Sequence, residues 1–561
     1  MSGGILDIVT SGVQTFQRSL QTISHNVTNV NTEGYSRQRT ELVQRLPNFT
    51  GAGYMGNGVE SVTIRRSYDE FLAKQIRTDV SSQGQLEVFN RLAKQVDNFT
   101  ADSATSLNST MQRFFDSIHE VADNPTSIAA RQVMLGNTSD FVDRLKTIDG
   151  RLSDLRNEVN TSIKSAIDEV NGMASSIARL NDQIVQAFTL GQPPNDLLDQ
   201  RDNLVESISK KVGVSIIPEK DGAIDVVIGN GQPLVLGSLA TTLQASSGGL
   251  YKDPFNVEIS IVNGSGRGTI VTNGITGGEL GGLLNVRSQI LDPAQNALGA
   301  MAVGVIGDMN VAHQQGYDLN GNKGQPLFSP ENVAFDAYPL TGVTNRLSIT
   351  LGDPPPAAAT IPTANGLTGS DYLLTYNGAN YTITRLSDNT RVYNDAELPT
   401  SQIDGMTFAV PNGALSAGDN FLIQPARHVI PAITLNAAVM ADPKLVAASS
   451  SDVAVGDNKN ALAMAALPQG KYLGNSSSTY QEAYNALVGT VATRTHTSEI
   501  NLETQTKLLD QAKEARSGVS GVNLDEEAAN IIQYQQSYQA AAQMVSVVNQ
   551  MFESLMGAVR G

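Results

Sequence analysis

The sequence predicts an α+β multidomain protein. Its terminal helices form an α-helical coiled-coil domain, next to a long helical bundle that carries two inserted β-rich domains. Three patterns lead to this fold class. Apolar residues recur every 3.5 positions at both ends, long apolar stripes at helical spacing lie between them, and two segments combine β-branched runs with Gly, Asn and Asp turns.

The first helix is predicted from a heptad repeat near the start of the chain. Its apolar positions are separated by 4, 3, 4, 3, 4 and 3 residues, a spacing that keeps one seam facing a partner helix. The positions are Val9, Val13, Phe16, Leu20, Ile23, Val27 and Val30. Gln, Ser, Thr and Asn fill the other faces, so we expect an amphipathic helix that packs through this seam.

The last helix carries the mirror-image repeat, with spacings of 3, 4, 3, 4, 3 and 4. Its seam positions are Tyr538, Ala541, Val545, Val548, Phe552, Leu555 and Val559. Asn523 is a predicted N-cap, with Glu526 three residues later as its reciprocal acidic partner. The sequence therefore predicts a long helix at each end of the chain.

Two isolated helices of this kind are marginal in water, because one buried seam offsets only part of the entropy of ordering them. We therefore expect both ends to be largely disordered in the free subunit and to become ordered when neighbouring subunits pack around them. An antiparallel helix pair inside an ordinary monomer has the same periodicity and is the alternative interpretation.

Helical stripes at 89–121 and 141–188, followed by a short helix that closes at Gly213, predict the bundle. A helix with a bend at Asp292-Pro293 follows, and helical signals resume over 442–517. The predicted domains are a terminal coiled-coil axial domain (1–60 with 520–561), a helical bundle domain (61–213 with 279–338 and 429–519), and β-rich insertions at 214–278 and 339–428.

Composition excludes several classes of site and partner. The chain has no Cys, which excludes disulfides, thiolate metal sites and cysteine nucleophiles, and its net charge of −17 argues against nucleic-acid binding. The most apolar window, 298–311, is interrupted by Asp308, so we expect no membrane span. No apolar stretch of signal-peptide length follows Met1, so any export is expected to need no cleaved peptide.

No arrangement of residues predicts catalysis. The five His residues are scattered and form no metal-binding pair; they are His25, His119, His313, His428 and His496. The segment Asp318-Leu319-Asn320-Gly321-Asn322 matches a calcium loop only in part, because Lys323 occupies the position of the sharp-turn Gly. We therefore expect no catalytic, cofactor-binding or metal site.

Residues 24–38, SHNVTNVNTEGYSRQ, resemble the N-terminal signature shared by flagellar rod, hook and hook-associated proteins. Asn and Thr side chains can end a helix by bonding their own backbone, and Gly34 permits the turn that redirects the chain. The motif positions are Asn26, Asn29, Asn31, Thr32, Gly34 and Tyr35.

Further segments resemble the hook-filament junction branch of this axial family. They are GYMGNGVE at 53–60, IRRSYDEFL at 64–72, GGELGGLL at 277–284 and the run at 517–540. The resemblance covers residues 1–210, 277–330 and 442–561, and it is vague in the two β-rich insertions. His25 and Val522-Asn523 depart from the usual family pattern.

The resemblance implies a non-enzymatic structural subunit that forms a homo-oligomeric ring and is required for filament attachment. The implied partners are the hook protein, a second hook-associated (junction) protein on the filament side, and an export chaperone at the C-terminal helices, with no nucleic acid, membrane or cofactor. It also implies export by the flagellar type III apparatus to an extracellular position in the flagellum.

Two other hypotheses stay open at this point. A rod or hook protein belongs to the same axial class, although Ser36-Arg37-Gln38 and the long 141–188 helix argue against it. A binding or enzymatic module displayed on an axial scaffold is the third hypothesis, with the 340–428 block as its adhesin-like surface.

Overall fold

The computed structural model describes residues 2–49, 53–101, 106–247, 251, 253–262, 268–329, 335–340, 343, 346–351, 366–411, 414–474 and 476–560. Its α-helices are α1 (Ser2–Thr28), α2 (Glu70–Thr100), α3 (Leu107–Asp123), α4 (Ile128–Thr189), α5 (Asn195–Lys211), α6 (Gly278–Val286), α7 (Asp292–Gln315), α8 (Ala437–Ala441), α9 (Lys459–Ala465), α10 (Tyr480–Ser520) and α11 (Leu524–Arg560).

The first eleven strands are β1 (Gln38–Gln44), β2 (Asn48–Phe49), β3 (Tyr54–Met55), β4 (Val59–Arg66), β5 (Val214–Pro218), β6 (Ile224–Ile228), β7 (Gln232–Leu236), β8 (Leu239–Ala240), β9 (Thr242–Ser247), β10 (Val257–Val262) and β11 (Gly268–Ile270). The remaining strands are β12 (Phe328–Ser329), β13 (Asp336–Pro339), β14 (Ser348–Leu351), β15 (Tyr372–Tyr376), β16 (Tyr381–Arg385), β17 (Thr390–Asp395), β18 (Met406–Ala409), β19 (Asn420–Gln424) and β20 (Thr434–Leu435).

The 62-residue helix α4 is the longest element of the helical bundle. Its predicted apolar stripe is buried along most of its length, including Leu152, Val159 and Ile163, which have no exposed surface. Helices α3 and α5 pack against α4, and α2 packs against α10. These helices and the sheets described next form the predicted α+β multidomain architecture, which is confirmed.

The first β-rich segment lies against α4. Its sheets have the antiparallel orders β5-β6-β7-β8 and β11-β10-β9. Asn181 and Asn171 of α4 donate side-chain hydrogen bonds to the carbonyl oxygens of Ile224 and Leu243, at 2.7 and 2.9 Å. These two amides, of which Asn181 is fully buried, fix the position of the sheets along the helix.

The second β-rich segment contains a five-stranded antiparallel sheet of order β13-β19-β15-β16-β17 and the β14-β18 pair. A buried ion cluster connects its base to the bundle. Asp292 of α7 accepts from Arg156 of α4 at 2.5 Å and from Arg427 at 3.0 Å. Arg427 also pairs with Asp371, immediately before β15.

The predicted bend at Asp292-Pro293 takes the form of a π-helical turn, Arg287–Leu291, between α6 and α7. Pro293 has no N–H to donate to the carbonyl of Gln289, four residues earlier. That carbonyl accepts from the guanidinium of Arg494 on α10 instead. The π turn therefore absorbs the proline within an otherwise continuous helical segment.

Two regions differ from the prediction. The strands β1 and β4 form an antiparallel ribbon, with a register shift at Glu41/Leu42, that the sequence reasoning missed. Residues 442–478, predicted to be helical, contain only short helices and loops, because Pro443 and Pro468 interrupt helical hydrogen bonding. The long helix α10 begins only after Thr479, whose side chain forms a capping box with Glu482.

Candidate functional site

The candidate site consists of the terminal helices α1 and α11 and a polar cluster at their base. Asn26, near the end of α1, donates to Glu527, near the start of α11, at 3.2 Å. Earlier on α1 and later on α11, the ring centroids of Phe16 and Tyr534 are 6.3 Å apart. The two helices are therefore antiparallel, and the 37-residue α11 extends past the first residues of the 27-residue α1.

The predicted seam residues of α1 differ in how deeply their side chains are buried. Val9 and Ile23 are buried, whereas Val13, Phe16, Leu20 and Val27 are half-buried. Val30 is also half-buried, but it lies beyond the last helical residue, Thr28. The seam therefore contacts the rest of the chain only in part.

The predicted seam residues of α11 become more exposed toward the end of the helix. Ala541 is buried, and Tyr538, Val545 and Val548 are half-buried. Phe552 and Leu555 are 48% and 61% exposed, because they lie where α11 has passed the start of α1. The side chain of Val559 lies outside the described part of the chain.

Three seam positions at the start of α11 are missing from the sequence prediction. Glu527 is buried, and Ile531 and Tyr534 are half-buried. They continue the heptad backwards from Tyr538 by steps of 4, 3 and 4 residues. The same periodicity could have identified Ile531 and Tyr534, but nothing in the sequence marks Glu527 as a buried carboxylate.

The sequence reasoning also missed the second buried face of α1. It consists of small polar residues at spacings of 4, 4, 3 and 4, namely Ser11, Thr15, Ser19, Thr22 and Asn26. This face packs on the β1–β4 ribbon, where Thr15 donates to the carbonyl of Val59 at 3.3 Å and the Thr22 and Thr40 hydroxyls are 3.2 Å apart. Small side chains allow this close approach of helix and ribbon.

The motif residue Asn26 lies at the centre of the polar cluster. Its amide exchanges two hydrogen bonds with the backbone of Gln38, donating to the carbonyl and accepting from the N–H, both at 2.9 Å. Its carbonyl oxygen also accepts from the Tyr35 hydroxyl at 2.8 Å. One buried amide therefore connects the end of α1 to the first residue of the ribbon and, through Glu527, to α11.

The remaining motif residues form the turn that follows α1. Asn29 donates its amide to the carbonyl of His25 at 3.0 Å, and the Thr32 hydroxyl donates to Asn29 at 3.1 Å. Gly34 has φ +76, and a Cβ there would lie 1.8 Å from the amide oxygen of Asn203 on α5. Asn31 is exposed on the turn. These contacts give most of the motif a role in positioning α1.

Arg37 provides the charged part of the cluster. Its guanidinium, only 8% exposed, pairs with Glu526 at 2.5 Å and with Glu527 at 2.6 Å. The predicted N-cap Asn523 accepts from the N–H groups of Asp525 and Glu526, so the cap is confirmed. The side chain of Glu526 pairs with Arg37, which differs from the predicted reciprocal cap.

The start of α5 completes the cluster from the bundle side. Asp199 accepts from the Ser36 N–H at 2.9 Å and from Arg66 of β4 at 2.7 Å. The Gln38 side chain donates to Asp196 at 2.8 Å. Burial raises the pKa of Asp199, while the bonds from Arg66 and Ser36 act in the opposite direction. The terminal helices are thus connected to the bundle through fixed hydrogen bonds.

The chemistry of the cluster is that of a structural connection. Burial, and after it the carboxylates of Asp196 and Asp199, raise the pKa of the Tyr35 hydroxyl above its ordinary value, so it remains a hydrogen-bond donor. A cavity of about 250 Å³ beside the cluster contains side chains of both charges, including Arg66, Asp202 and Arg516. The arrangement holds elements together and presents no activated nucleophile.

The described residues offer neither a metal site nor a membrane-spanning helix. Within the described ranges, no group of three or more His, Asp or Glu residues is placed to hold a metal ion. The Asp318 carboxylate accepts from the N–H groups of Asn320 and Asn322, as in an ordinary Asx turn. None of the helices, as far as their residues are described, is long and apolar enough to cross a bilayer.

Three family models match parts of the chain. Residues 93–328 match the family described as Flagellar hook-associated protein FlgK helical domain, and residues 356–425 match Flagellar hook-associated protein 1, D2-like domain. Residues 516–558 match Flagellar basal body rod FlgEFG protein C-terminal, a match that includes α10's last residues and most of α11.

Full-length relatives carry one common name. The chain is 34% identical over 558 residues to flagellar hook-associated protein 1 of Salmonella typhimurium, covering 97% of this chain and 98% of the relative. It is 32% identical over 552 residues to the protein of that name from Escherichia coli K12, with the same coverage. The solved structure of the flagellar hook junction protein FlgK from Burkholderia pseudomallei has a similar fold, with a TM-score of 0.71 at 24% identity, covering 80% of this chain and all of that one.

Proposed function

The chain belongs to the flagellar hook-associated protein 1 family, and from this premise we propose that it forms a ring of identical subunits between the hook and the filament. In this role the chain is a structural component of the flagellum. The proposal adds three points to family membership: the ring, the attachment of the filament, and export to the outer end of the hook.

The exposed end of α11 is the observation that carries the proposal. Phe552 and Leu555 continue the heptad seam beyond the point where α1 can cover it, and both remain exposed. Exposed apolar side chains at seam spacing are typical of a helix that packs against further helices. Neighbouring subunits can supply those helices, as axial assembly requires. Of the fourteen predicted seam positions, we propose the exposed and half-buried ones as the subunit-packing surface, since Val9, Ile23 and Ala541 are already buried within one chain.

The proposed partners follow the order of the assembly. The hook protein contacts one side of the ring, and a second hook-associated protein contacts the filament side. Before assembly, an export chaperone covers the C-terminal helices, since an uncovered seam on α11 can pair with other helices. Export through the flagellar type III apparatus then places the subunit outside the cell without a cleaved signal peptide.

The polar cluster is the connection through which we propose that a load on the terminal helices reaches the bundle. Arg37, Asn26 and Asp199 connect the terminal helices to the bundle by buried bonds.

We propose that the terminal coiled-coil domain, the bundle and the two β-rich insertions are the four domains predicted from the sequence. In this arrangement the terminal domain makes the ring, and the bundle and insertions lie outside it.

A strain that lacks the protein tests the proposal. We expect such cells to be non-motile, to keep their hooks, and to release filament protein into the medium, because the filament cannot attach. Electron microscopy of hooks and immunoblotting of the medium provide the measurement. Cells that lack the protein and still carry attached filaments would overturn the proposed function.

A further inference from the structure

The β1–β4 ribbon ends in a tip whose apolar side chains are uncovered. Leu46 is 87% exposed, Phe49 69% and Tyr54 76%. The rings of Phe49 and Tyr54 meet edge to face with centroids 5.4 Å apart, so the tip presents a preformed aromatic pair. Exposed aromatic groups of this kind are more typical of an interaction site than of a solvated turn.

The ribbon runs alongside α1, and its tip lies at the first turns of that helix. Gly58, immediately before β4, is so close to α1 that a Cβ there would lie 2.3 Å from the Ser11 hydroxyl and 3.2 Å from the backbone of Ile8. The opposite end of the ribbon, at Gln38, contacts Asn26 near the end of α1. The tip therefore extends toward the beginning of α1, away from the polar cluster.

The end of α11 lies at the same end of the terminal helix pair, because α11 is antiparallel to α1. Its side chains Met551, Phe552 and Leu555 are 62%, 48% and 61% exposed. Between residues 528 and 559, Glu553 is the one charged residue. Two apolar surfaces of one chain, the ribbon tip and the end of α11, are thus exposed at the same end of the terminal helix pair.

We propose that the ribbon tip of one subunit docks on the end of α11 of the next copy of this chain. The proposal rests on the ring proposed above and names a contact within it. A contact between two different surfaces of identical chains is heterologous, and repeated heterologous contacts produce rings or helices. The face of α11 that carries Met551, Phe552 and Leu555 suits an aromatic, uncharged tip, because Glu553 lies about 150° away from the centre of this face at helical spacing.

The small size of both surfaces favours a second copy over an independent soluble partner. A stable pairwise complex buries on the order of 1,200–2,000 Å² in total. The exposed large apolar side chains among the described residues of the tip are Leu46, Phe49, Tyr54 and Met55. Such a contact is too small to hold two free molecules together. It becomes stable when other contacts of a ring hold the same two subunits in place.

The absence of Cys from the sequence makes a direct cross-linking test possible. Two single-Cys variants of the full chain, Tyr54→Cys and Leu555→Cys, are expressed together in the strain that lacks the protein. Cross-links between these positions can form only between copies, since neither copy carries both thiols. We expect a covalent dimer with one copy of each variant after treatment of isolated hooks with a short bismaleimide.

The matched control pairs Tyr54→Cys with Val453→Cys, a loop position of the helical region that is 85% exposed and so even more accessible than Leu555 at 61%. This pair is expected to give no mixed dimer. If either test variant does not support swimming, Phe49→Cys and Met551→Cys replace it, since they report on the same two surfaces.

The outcomes separate this inference from the proposed function. Swimming cells whose hooks yield the mixed dimer support the contact. Swimming cells without the mixed dimer overturn it and leave the ring proposal intact. A cross-link from position 54 to hook protein instead of to a second copy also overturns it, because the occupant would then be a different protein.

Discussion

Arg37 connects the two ends of the chain through one buried guanidinium. Its backbone N–H donates to the carbonyl of Ser520, the last residue of α10, at 2.8 Å, while its side chain binds the first turn of α11. The segment between α1 and the ribbon therefore fixes the angle at which the chain leaves α10 and enters α11. A change at this residue is expected to affect the orientation of α11 more than the stability of the bundle.

Glu527→Gln tests the buried half of this connection. A neutral amide cannot compensate the buried charge of Arg37, so we expect a local loss of about 2–4 kcal/mol at the start of α11. Glu526→Gln is the matched control, because Glu526 contacts the same guanidinium but is 57% exposed, and it should cost less than about 1 kcal/mol. Amide hydrogen exchange over 524–541 of the subunit in isolated hooks, where α11 is expected to be protected, measures both, and equal losses would contradict the argument from burial.

Asp308 makes the stability of the bundle depend on pH. Burial raises the pKa of this carboxyl to about 6, against the partial compensation of the Tyr480 hydroxyl, which donates to it at 2.5 Å. The folded pKa lies above the ordinary value of 3.8, so the stabilising protonated form is fully present below pH 3.8 and is lost as the pH rises through 6. The ionised carboxylate therefore weakens the fold at neutral pH.

Asp308→Asn removes this penalty and keeps an oxygen that accepts from Tyr480. We expect the variant to be more stable than the parent at pH 8, by up to about 3 kcal/mol, with a smaller difference at pH 4.5. Tyr480→Phe should have the opposite effect at pH 8, since it removes the bond that favours the carboxylate. Urea unfolding at both pH values gives the comparison, and a gain independent of pH would refute it.

At the scale of elements, the helices were predictable and the ribbon was not. The stripe from Phe141 to Phe188 repeats often enough to identify α4, whereas β1 reads QRTELVQ and has no apolar alternation. The ribbon is determined by tertiary contacts, because Ser and Thr side chains of α1 bury its inner face. The Arg37–Glu527 pair joins residues far apart in sequence, which no local pattern could reveal.

A substitution at the exposed end of α11 tests assembly separately from folding. Leu555→Asp places a charge on a side chain that is already 61% exposed, so the subunit should fold and be exported normally. We expect incorporation into the hook-filament joint to be abolished, because the charge would be buried between subunits. Val548→Asp should do the same, although Val548 also faces α1. Normal joints in both strains would refute the seam assignment.

A control for these substitutions lies on the same helix. Gln550→Asp introduces the same charge at an exposed polar position outside the heptad seam and should leave incorporation unchanged. Immunogold labelling of isolated hooks reports incorporation, and circular dichroism of each purified variant reports its helical content. Equal loss of incorporation in Gln550→Asp would point to a general effect of charge on α11.

The terminal helices are expected to be the least protected elements of the free subunit. Among their described residues, fully buried apolar side chains are sparse, with Val9, Ile23 and Ala541 as examples, whereas the bundle shares one continuous apolar core. We expect rapid amide exchange in α1 and α11 of the monomer and strong protection in assembled hooks. Mass spectrometry of both samples measures this, and full protection of both ends in the monomer would contradict it.

At the scale of the whole molecule, the chain combines a continuous core with attached parts of different kinds. The core cluster extends from Phe89 to Val491 and includes both β-rich segments. The terminal helices contact the bundle through the polar cluster instead. The helical-domain family match, 93–328, lies within the range of this core, and the axial family match, 516–558, falls mainly on α11.

The second β-rich segment allows the last prediction, since its two ends are adjacent. Asp336 and Gln424 are paired at the base of the sheet, so an Asn-Gly turn can replace 337–423 while Arg427 keeps its pair with Asp292. We expect the shortened chain to be less stable, because α7 loses part of its cover, but to support swimming and attached filaments. Full-length Asp371→Asn controls for the lost ion pair with Arg427. A shortened protein that melts cooperatively but leaves cells without filaments would assign this segment a direct role in the joint.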